Sequence, residues 1–423
     1  MAYTDFIAAI DLGTSHMVGM VGTKNATGAL SIIAYEVENS GTCIRRGCVY
    51  NVKETASKIK RLILKLENKL GGTKIGQVYV GLGGQSLRSI EHTVCKVLGT
   101  EGVVTEEIID SLYQECKDYR PDMLTVLDVV SPSYFLDDKP ESNPVGVPCS
   151  RIEARYKLIV GRPSLKLNIV NSISEQAKIE IAGILVSPLA LGDVVLSDNE
   201  KDLGCALIGF GAGVTTISVY KGGKLASLSV VPFGGNLITK DITNLRVVES
   251  EAERLKITYG SAKADRDNDM TIQVSLADGM GLREIKLAEL NGVIEARMDE
   301  ILENVYARLE ATGLMSVLGA GIVITGGGAA LKNLPAVMSE RLKMEVRYSA
   351  VRKGVVASGD LVVASNPEYA VAVGLLAKGT KNCALYIPPK PEPKIEPVVE
   401  PEPTVEPTPE PEPVKEKPKK EKK

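Results

Sequence analysis

Short β-rich runs alternate along this chain with longer segments in which apolar residues recur at helical spacing. The run IAAIDLGTSHMVGMVG at residues 7–22 contains two β-rich stretches around a turn of small residues, which is typical of a β-hairpin. The run CALIGFGAGVTTISVY at residues 205–220 has the same form, and Gly13 of the first turn matches Gly211 of the second. The pattern therefore predicts two equivalent hairpins.

Apolar residues recur at helical spacing in two long segments, one after each hairpin. They are NVKETASKIKRLILKLENKLGG at 51–72 and GVIEARMDEILENVYARLEATG at 292–313, and each ends in glycine, a common helix stop. A repeat of roughly 200 residues is too long for a solenoid. We therefore expect a duplicated α/β domain whose mixed sheets are covered by helices and whose two halves face each other across a cleft.

Composition removes several classes of protein from consideration. The 423 residues exceed the usual size of one domain, and a net charge of -3 leaves no basic field, so no nucleic-acid partner is expected. Seven cysteines without a C-x-x-C pair and two histidines offer no zinc ligand set and indicate reduced cytosolic thiols. The apolar stretch at 182–196 is broken by Pro188 and is too short to cross a bilayer.

From Lys390 onward the composition changes to Pro, Glu, Lys and Val, in runs such as EPVVEPEPTVEPTPEPEP. Such a segment buries too little apolar surface to offset its ordering entropy. The sequence therefore predicts a disordered tail at 388–423, after a folded part that ends near Ile387.

The first hairpin turn carries the groups that a triphosphate needs. Gly13 permits close backbone approach, and successive N–H groups from Gly13 to His16 can donate to phosphate oxygens. The hydroxyls of Thr14 and Ser15 add further donors, and Asp11 can hold Mg²⁺ through water. Turns of this composition also occur in many ordinary hairpins, so this one alone does not identify a ligand.

The second hairpin turn offers the same kind of backbone donors from the opposite wall of the predicted cleft. These donors belong to Gly211, Ala212, Gly213, Val214 and Thr215. Two facing turns of this kind could hold one phosphate chain between them.

A third glycine-rich element follows a predicted buried strand in IVITGGGAAL at 322–331. Its glycines, Gly326, Gly327 and Gly328, permit a nucleoside to lie against bare backbone near the start of a helix. Such strand-to-helix turns are also common without a ligand. Three glycine-rich elements in this order and spacing are much less common by chance, and together they predict a nucleotide site.

These motifs carry a family resemblance. AIDLGTS and ALIGFGAGVTT resemble the two phosphate motifs of the actin, heat-shock chaperone and sugar-kinase superfamily, and VITGGGAALKNL resembles its adenosine motif. NPEYAVAVGLLA at 366–377 resembles the helix that links the two halves in that superfamily. The resemblance narrows to the FtsA family, over about residues 5–386, in NSGTCIRRGCVYNVKETASKIK, VYVGLGGQSLRS, NPVGVPCSRIEARY, VVPFGGNLITKDI and SEAERLKITYG.

The resemblance implies an α/β fold of duplicated actin-like (ribonuclease H-like) domains, with the inserted subdomain of the FtsA family and a disordered C-terminal tail. In that family the insertion mediates contacts between neighbouring subunits of a filament. The implied boundaries are 1–83 with 166–200 for the first half, 84–165 for the insertion, 201–232 with 318–387 for the second half, 233–317 for its outer subdomain and 388–423 for the tail.

The resemblance also implies roles for individual residues. Gly235 would lie in the nucleoside site, and Glu253 and Lys256 would contact the ribose and base, although their i,i+3 spacing also suits a surface ion pair. Arg297 and Glu300 would lie on the helix that receives the C-terminal peptide of the tubulin-like FtsZ. Exposed charges on a helix are, however, more often simply solvated.

The chain departs from the superfamily pattern at two positions of the second phosphate motif. Gly209 stands where an aspartate normally positions magnesium or the attacking water, and Thr216 stands where a second aspartate is usual, whereas Asp11 keeps its carboxylate. Backbone donors remain for binding, but a positioned carboxylate contributes typically ~10²- to 10⁴-fold as acid or base. We therefore expect binding of ATP with Mg²⁺ and weak or absent hydrolysis, and we assign no catalytic residue.

The resemblance implies an ATP-binding, filament-forming scaffold that links the FtsZ ring to the cytoplasmic face of the membrane at the division site, with other division proteins as partners. Two alternatives stay open. A pilus-assembly relative of FtsA would bind a short peptide from a membrane partner, and a small-molecule kinase of the same fold would need a carboxylate base that Gly209 and Thr216 do not supply.

FtsA chains usually finish with an amphipathic helix that lies in the membrane interface. The run KEKPKKEKK has no apolar face and so has nothing to insert. We therefore expect that membrane attachment depends on a partner or that the sequence is shortened.

Overall fold

The computed structural model describes residues 5–99, 102–275, 281–357, 363, 366–385, 411 and 414. Residues 1–385 form one compact unit and residues 386–423 a second. In the second unit the described residues are Pro411 and Val414, both exposed, so the predicted disordered tail otherwise lies outside the described residues.

The strands range from two-residue bridges to strands that cross a whole sheet. In chain order they are β1 (Ile7–Leu12), β2 (His16–Lys24), β3 (Leu30–Asn39), β4 (Ile44–Arg45), β5 (Cys48–Val49), β6 (Gln77–Leu82), β7 (Arg88–Val97), β8 (Thr125–Leu136), β9 (Lys139–Glu141), β10 (Arg151–Gly161), β11 (Glu180–Val186), β12 (Cys205–Phe210), β13 (Thr215–Lys221), β14 (Lys224–Val231), β15 (Thr271–Ser275), β16 (Leu282–Lys286), β17 (Ile322–Thr325) and β18 (Val346–Tyr348).

Helices lie between the strands throughout the described ranges, and none of those described is long and apolar enough to cross a bilayer. In chain order they are α1 (Val52–Lys69), α2 (Glu106–Asp118), α3 (Ser164–Val170), α4 (Ser187–Val195), α5 (Asp198–Leu203), α6 (Gly235–Ile242), α7 (Glu249–Tyr259), α8 (Leu287–Glu310), α9 (Leu334–Leu342) and α10 (Ala370–Lys378).

Two five-stranded sheets repeat one topology. The first has the order β11-β6-β1-β2-β3 and the second the order β14-β13-β12-β17-β18. In each sheet three consecutive strands form an antiparallel meander, and two later strands extend the sheet in parallel beyond the first of them. The predicted hairpins are β1-β2 and β12-β13, so the duplicated, mixed α/β fold is confirmed.

A four-stranded antiparallel sheet of order β7-β10-β8-β9 lies inside the segment 84–165 that was predicted as the insertion. Hydrogen bonds join it to β14 of the second five-stranded sheet. The N–H of Leu228 donates to Ser89 Oγ at 2.8 Å, and Lys224 Nζ donates to the carbonyl of Pro132 at 2.5 Å. The inserted sheet therefore contacts the second half, while the predicted domain boundaries themselves stay a prediction.

The two long predicted helices are present, with one shifted boundary. Helix α1 occupies the segment predicted at 51–72, and the side chain of Asn51 caps it by accepting from the N–H of Glu54 at 3.1 Å. Helix α8 begins at Leu287 rather than at 292. It starts earlier because Leu290 is fully buried and continues the apolar stripe toward the N-terminus.

Helices α4 and α10 pack closely against each other, and α4 lies on the chain path from the first five-stranded sheet to the second. At their crossing, a Cβ added to Gly374 would lie 2.3 Å from the carbonyl oxygen of Ala190. Because this neighbour is backbone, it cannot rotate away as a side chain could. The crossing therefore requires glycine at position 374.

The segment after α10 is bonded to the start of β1. The N–H of Cys383 donates to the carbonyl of Phe6 at 2.7 Å, and the N–H of Phe6 donates to Asn382 Oδ1 at 3.3 Å. The N–H of Leu385 donates to the carbonyl of Lys74 at 2.9 Å. The compact unit thus ends beside its own first strand.

Gly374→Ala is expected to lower the free energy of unfolding by about 2 kcal/mol, because its new Cβ meets backbone at the helix crossing. Gly292→Ala in α8 is the matched control: its Cβ has open space, so helix propensity should raise stability by about 0.5–1 kcal/mol. Denaturant unfolding of both variants measures the two changes. Equal effects would contradict a tight crossing of α4 and α10.

Candidate functional site

The first predicted turn is formed between β1, which ends at Leu12, and β2, which begins at His16. Gly13, Thr14 and Ser15 make the turn itself. A Cβ on Gly13 would lie 2.4 Å from the carbonyl oxygen of His16, so the hairpin needs glycine there whether or not a ligand is bound. The hydroxyl of Ser15 and Nδ1 of His16 are 2.9 Å apart and form a hydrogen bond.

Asp11 places a carboxyl group close to the backbone of a neighbouring strand. A Cβ added to Gly81 on β6 would lie 3.1 Å from Asp11 Oδ1 and 2.5 Å from Ser187 Oγ. Burial raises the pKa of Asp11 to about 6, although a hydrogen bond from the backbone of Leu12 acts to lower it. No charged residue in the described ranges contributes to this shift. A bound cation strongly stabilises a desolvated carboxylate that has no counter-charge, so Asp11 fits the predicted magnesium role.

The described residues contain no group of three or more His, Cys, Asp or Glu side chains that could hold a metal ion by themselves. Mg²⁺ prefers oxygen ligands and commonly keeps several waters while binding substrate phosphates. A magnesium ion at Asp11 would therefore take its remaining ligands from phosphate and water.

The second predicted turn is held by the N-terminus of α6. Within the turn, the N–H of Gly211 donates to the carbonyl of Val214 at 2.9 Å. The N–H groups of Gly235 and Asn236 donate to the carbonyls of Gly211 and Ala212 at 2.9 and 2.8 Å. These bonds fix the turn against the helix and satisfy two N–H groups of its first turn.

The two turns contact each other. A Cβ on Gly213 would lie 2.6 Å from Thr14 Oγ1 and 3.0 Å from the Cα of Arg46. The same Thr14 hydroxyl accepts a hydrogen bond from the N–H of Gly47 at 2.9 Å. The structure therefore brings the two predicted phosphate turns together, at a distance that glycine at 213 permits.

A neighbouring side chain fills the space at position 209, where the superfamily usually has aspartate. Gly209 pairs with Thr216 across the hairpin, and a Cβ at 209 would lie 2.6 Å from Thr216 Oγ1. On the other side Gly209 pairs with Thr325, whose buried hydroxyl has no hydrogen-bond partner within the described part of the chain. The adjoining Thr215 is buried and donates to the carbonyl of Phe233 at 2.9 Å. An aspartate at 209 would fit only if Thr216 moved.

Three predicted nucleoside residues form one hydrogen-bonded cluster. Lys256 Nζ donates to Glu253 Oε2 at 2.7 Å, to Thr239 Oγ1 at 2.8 Å and to the carbonyl of Gly235 at 3.2 Å. The ion pair that the i,i+3 spacing allowed is thus formed, and the role toward a nucleoside stays a prediction. Sequence reasoning missed Thr239, whose signal is a polar residue one helical turn after Gly235.

The triple-glycine element packs against the residue that precedes the second turn. Gly326 has φ +86°, and a Cβ there would lie 2.5 Å from the carbonyl oxygen of Phe210, while one on Gly328 would lie 3.0 Å from the Cβ of Phe210. A Cβ on Gly327 would lie 3.4 Å from Glu368 Oε1, a carboxylate that sequence reasoning did not find. The helix start expected here is a short 3₁₀ turn, and α9 begins further along the chain.

Arg297 and Glu300, the predicted partner-binding residues, are bonded to each other on α8. Arg297 also donates to Asp241 on α6, and its Nη2 lies 3.2 Å from Oδ1. The hydrogen bond to Asp241 is the main cause that raises the pKa of Arg297. The two side chains remain 26% and 46% exposed, so they link two helices and are still accessible at the surface.

Comparisons with known proteins agree with one another. The family described as Cell division protein FtsA matches residues 206–374. A cell division protein FtsA of Porphyromonas gingivalis is 39% identical over 382 residues, which cover 90% of this chain and 79% of the relative.

Two solved structures share the fold. The PilM-PilN type IV pilus biogenesis complex has a TM-score of 0.61 at 16% identity, covering 88% of this chain and 97% of that one. MreB5 of Spiroplasma citri bound to ADP has a TM-score of 0.50 at 15% identity, covering 88% of this chain and 95% of that one. At these identities the likeness establishes an actin-like fold.

Asp11→Asn is expected to stabilise the nucleotide-free protein at neutral pH by about 2 kcal/mol. The carboxyl group ionises near pH 4 in the unfolded chain and near pH 6 in the fold, so the free energy of unfolding falls as pH rises from about 4 to about 6 and stays lower above that range. Asparagine carries no ionising proton. Thermal melts between pH 4 and 8 should therefore show a smaller fall in the variant.

Asp193→Asn is a control for which we expect the opposite change in stability. Burial alone would raise the pKa of Asp193, but hydrogen bonds from Lys201 and Lys378 outweigh it and lower the pKa. Its ionised form stabilises the fold above its unfolded pKa, so this variant should be less stable at neutral pH. If Asp11→Asn is destabilised in the same way, Asp11 does not lack a counter-charge.

Proposed function

This chain belongs to the FtsA family of cell division proteins, and we propose that it acts in division by binding ATP with Mg²⁺ between its two hairpin turns. The contact of Gly213 with Thr14 carries the proposal. Because the turns meet there, backbone donors from both halves can reach one phosphate chain. The ADP named for MreB5, which shares the fold, supports a nucleotide as the ligand.

Each part of the nucleotide has residues that suit it. Asp11 would hold magnesium through water, and the magnesium would neutralise phosphate charge. Backbone N–H groups of 13–16 and 212–215 would bind the phosphates, whereas the N–H of Gly211 is already bonded to the carbonyl of Val214. The bare backbone of 326–328 and the cluster of Glu253 and Lys256 would contact the nucleoside.

Nucleotide binding is expected to separate the two turns. A Cβ at 213 already overlaps Thr14 Oγ1, so a phosphate group, which is larger, cannot enter between them without movement. Bound nucleotide would then replace the direct contact between the halves with contacts through phosphate. The chain would then behave as a nucleotide-gated scaffold, in which a bound nucleotide changes the distance between the two turns.

Turnover is expected to be weak or absent because position 209 has no carboxylate. The hydroxyl of Thr216 fills that space, and a hydroxyl is a far weaker base than a carboxylate. ATP would then act mainly as a structural ligand that stays bound.

Gly209→Asp alone is expected to destabilise the protein, since its Cβ would lie 2.6 Å from Thr216 Oγ1. Adding Thr216→Ala makes room, and the double variant is expected to release phosphate from ATP at least ~10-fold faster than the unmodified chain. Thr216→Ala by itself is the control and should not gain turnover. A stable double variant with an unchanged rate would show that the missing carboxylate does not limit hydrolysis.

We further propose that the chain forms filaments, contacts other division proteins and links FtsZ to the cytoplasmic face of the membrane as a peripheral protein at the division site. Family membership supports this role. The pilus-assembly alternative is less favoured, since the PilM-PilN structure is 16% identical and the FtsA relative 39%. The kinase alternative lacks a carboxylate base at both 209 and 216.

Arg297→Ala is expected to weaken binding of an FtsZ C-terminal peptide about 10-fold, because a charge-assisted hydrogen bond to the peptide is lost. Fluorescence anisotropy with a labelled peptide measures this affinity. Arg308→Ala is the control: this arginine is exposed on the same helix and should have little effect. Thermal melts check that both variants are folded. If the folded variants bind the peptide with equal affinity, Arg297 does not belong to the peptide site.

A further inference from the structure

A cavity of about 370 Å³ lies between α2 and the four-stranded sheet, within the inserted segment. Its apolar walls come from Ile109 on α2 and from side chains of β8. Three tyrosines, Tyr113, Tyr134 and Tyr156, complete the lining, together with Asp110. The volume falls within the range of sites that bind small molecules, and the nucleotide site uses none of these residues.

The tyrosines surround one another edge to face. The ring centroids of Tyr113 and Tyr134 each lie 6.4 Å from that of Tyr156, with interplanar angles of 66° and 87°. Tyr156 is 2% exposed, and its hydroxyl is buried. Its ring therefore lines the cavity, while its hydroxyl lies out of reach of a ligand.

Charge narrows the class of ligand. Among the described residues, Asp110 is the one charged residue that lines the cavity, and it is exposed at the surface. Lys224 approaches the wall at Pro132, but its ammonium group is bonded to the carbonyl of that residue at 2.5 Å. Aromatic faces combined with a carboxylate attract a cation.

We propose that this cavity binds a primary ammonium group on an alkyl stem, the chemistry shared by a lysine side chain and a free diamine. The stem packs on the apolar wall and the tyrosine rings. The ammonium group is attracted by the faces of the tyrosine rings and by the carboxylate of Asp110. A neutral stem of the same length gains neither interaction.

Calorimetric titration of the full chain tests this with three probes: 1,5-diaminopentane, a blocked tripeptide with a central lysine, and 1-pentanol. One or both amines should bind, and the tighter of the two identifies a free amine or a polypeptide as the source. Pentanol should bind at least ~10-fold more weakly than either amine that binds. Failure of both amines at millimolar concentration, or equal binding of pentanol, overturns the proposal.

Two substitutions separate recognition from folding. Asp110→Asn should weaken amine binding at least ~5-fold, whereas Glu115→Gln, an exposed residue on the same helix outside the cavity lining, should leave it unchanged. Tyr156→Phe keeps the ring and removes a hydroxyl that lies out of reach of a ligand, so it should leave amine binding unchanged. Equal affinities for Asp110→Asn and Glu115→Gln, or a changed affinity of Tyr156→Phe, overturn the assigned contacts.

Discussion

The approach of Gly213 to Thr14 is the contact on which the site depends, because it brings the two hairpin turns to one point. Two other glycines are required by close contacts elsewhere in the site. Gly13 closes its hairpin against His16, and Gly326 lies against the carbonyl of Phe210. None of these contacts involves a ligand. The glycines that packing requires lie in the same segments whose backbone we propose a nucleotide contacts, so folding and binding favour the same residue type.

The two halves share a topology and differ in electrostatics. Asp11 and Gly209 occupy the same place, next to the last residue of the first strand in each meander. Burial without a counter-charge holds the pKa of Asp11 near 6, whereas at 209 a threonine hydroxyl takes up the space. Ionisation of Asp11 in the first half therefore costs free energy, which a bound cation would offset. The second half has no carboxylate at position 209 and so has no such cost. The two halves thus share a topology, but only the first carries a carboxylate at this position.

The fold could be predicted because its signals are local. Each hairpin is encoded by two β-rich runs around a small turn, and α1 by an apolar stripe with a cap, all within about twenty residues of sequence. The side chain that fills position 209 could not be predicted in this way. It depends on the register that sets Thr216 opposite Gly209, and on the rotamer that Thr216 adopts. Thr239 and Glu368 were missed for a related reason, since each reaches the site from a different element.

The hydrogen bond from Cys383 to Phe6 also has a mechanical consequence for the compact unit. The bonds from Cys383 and Leu385 attach the last described segment of the compact unit to Phe6 and Lys74. Tension applied after Leu385 would therefore reach the fold first at Lys74, shortly before β6, and then at Phe6, at the beginning of β1. Asp11 lies on that same strand, five positions after Phe6. Part of a pulling force applied there would act along β1 toward Asp11, so we expect tension at the end of the compact unit to be felt at the first hairpin turn.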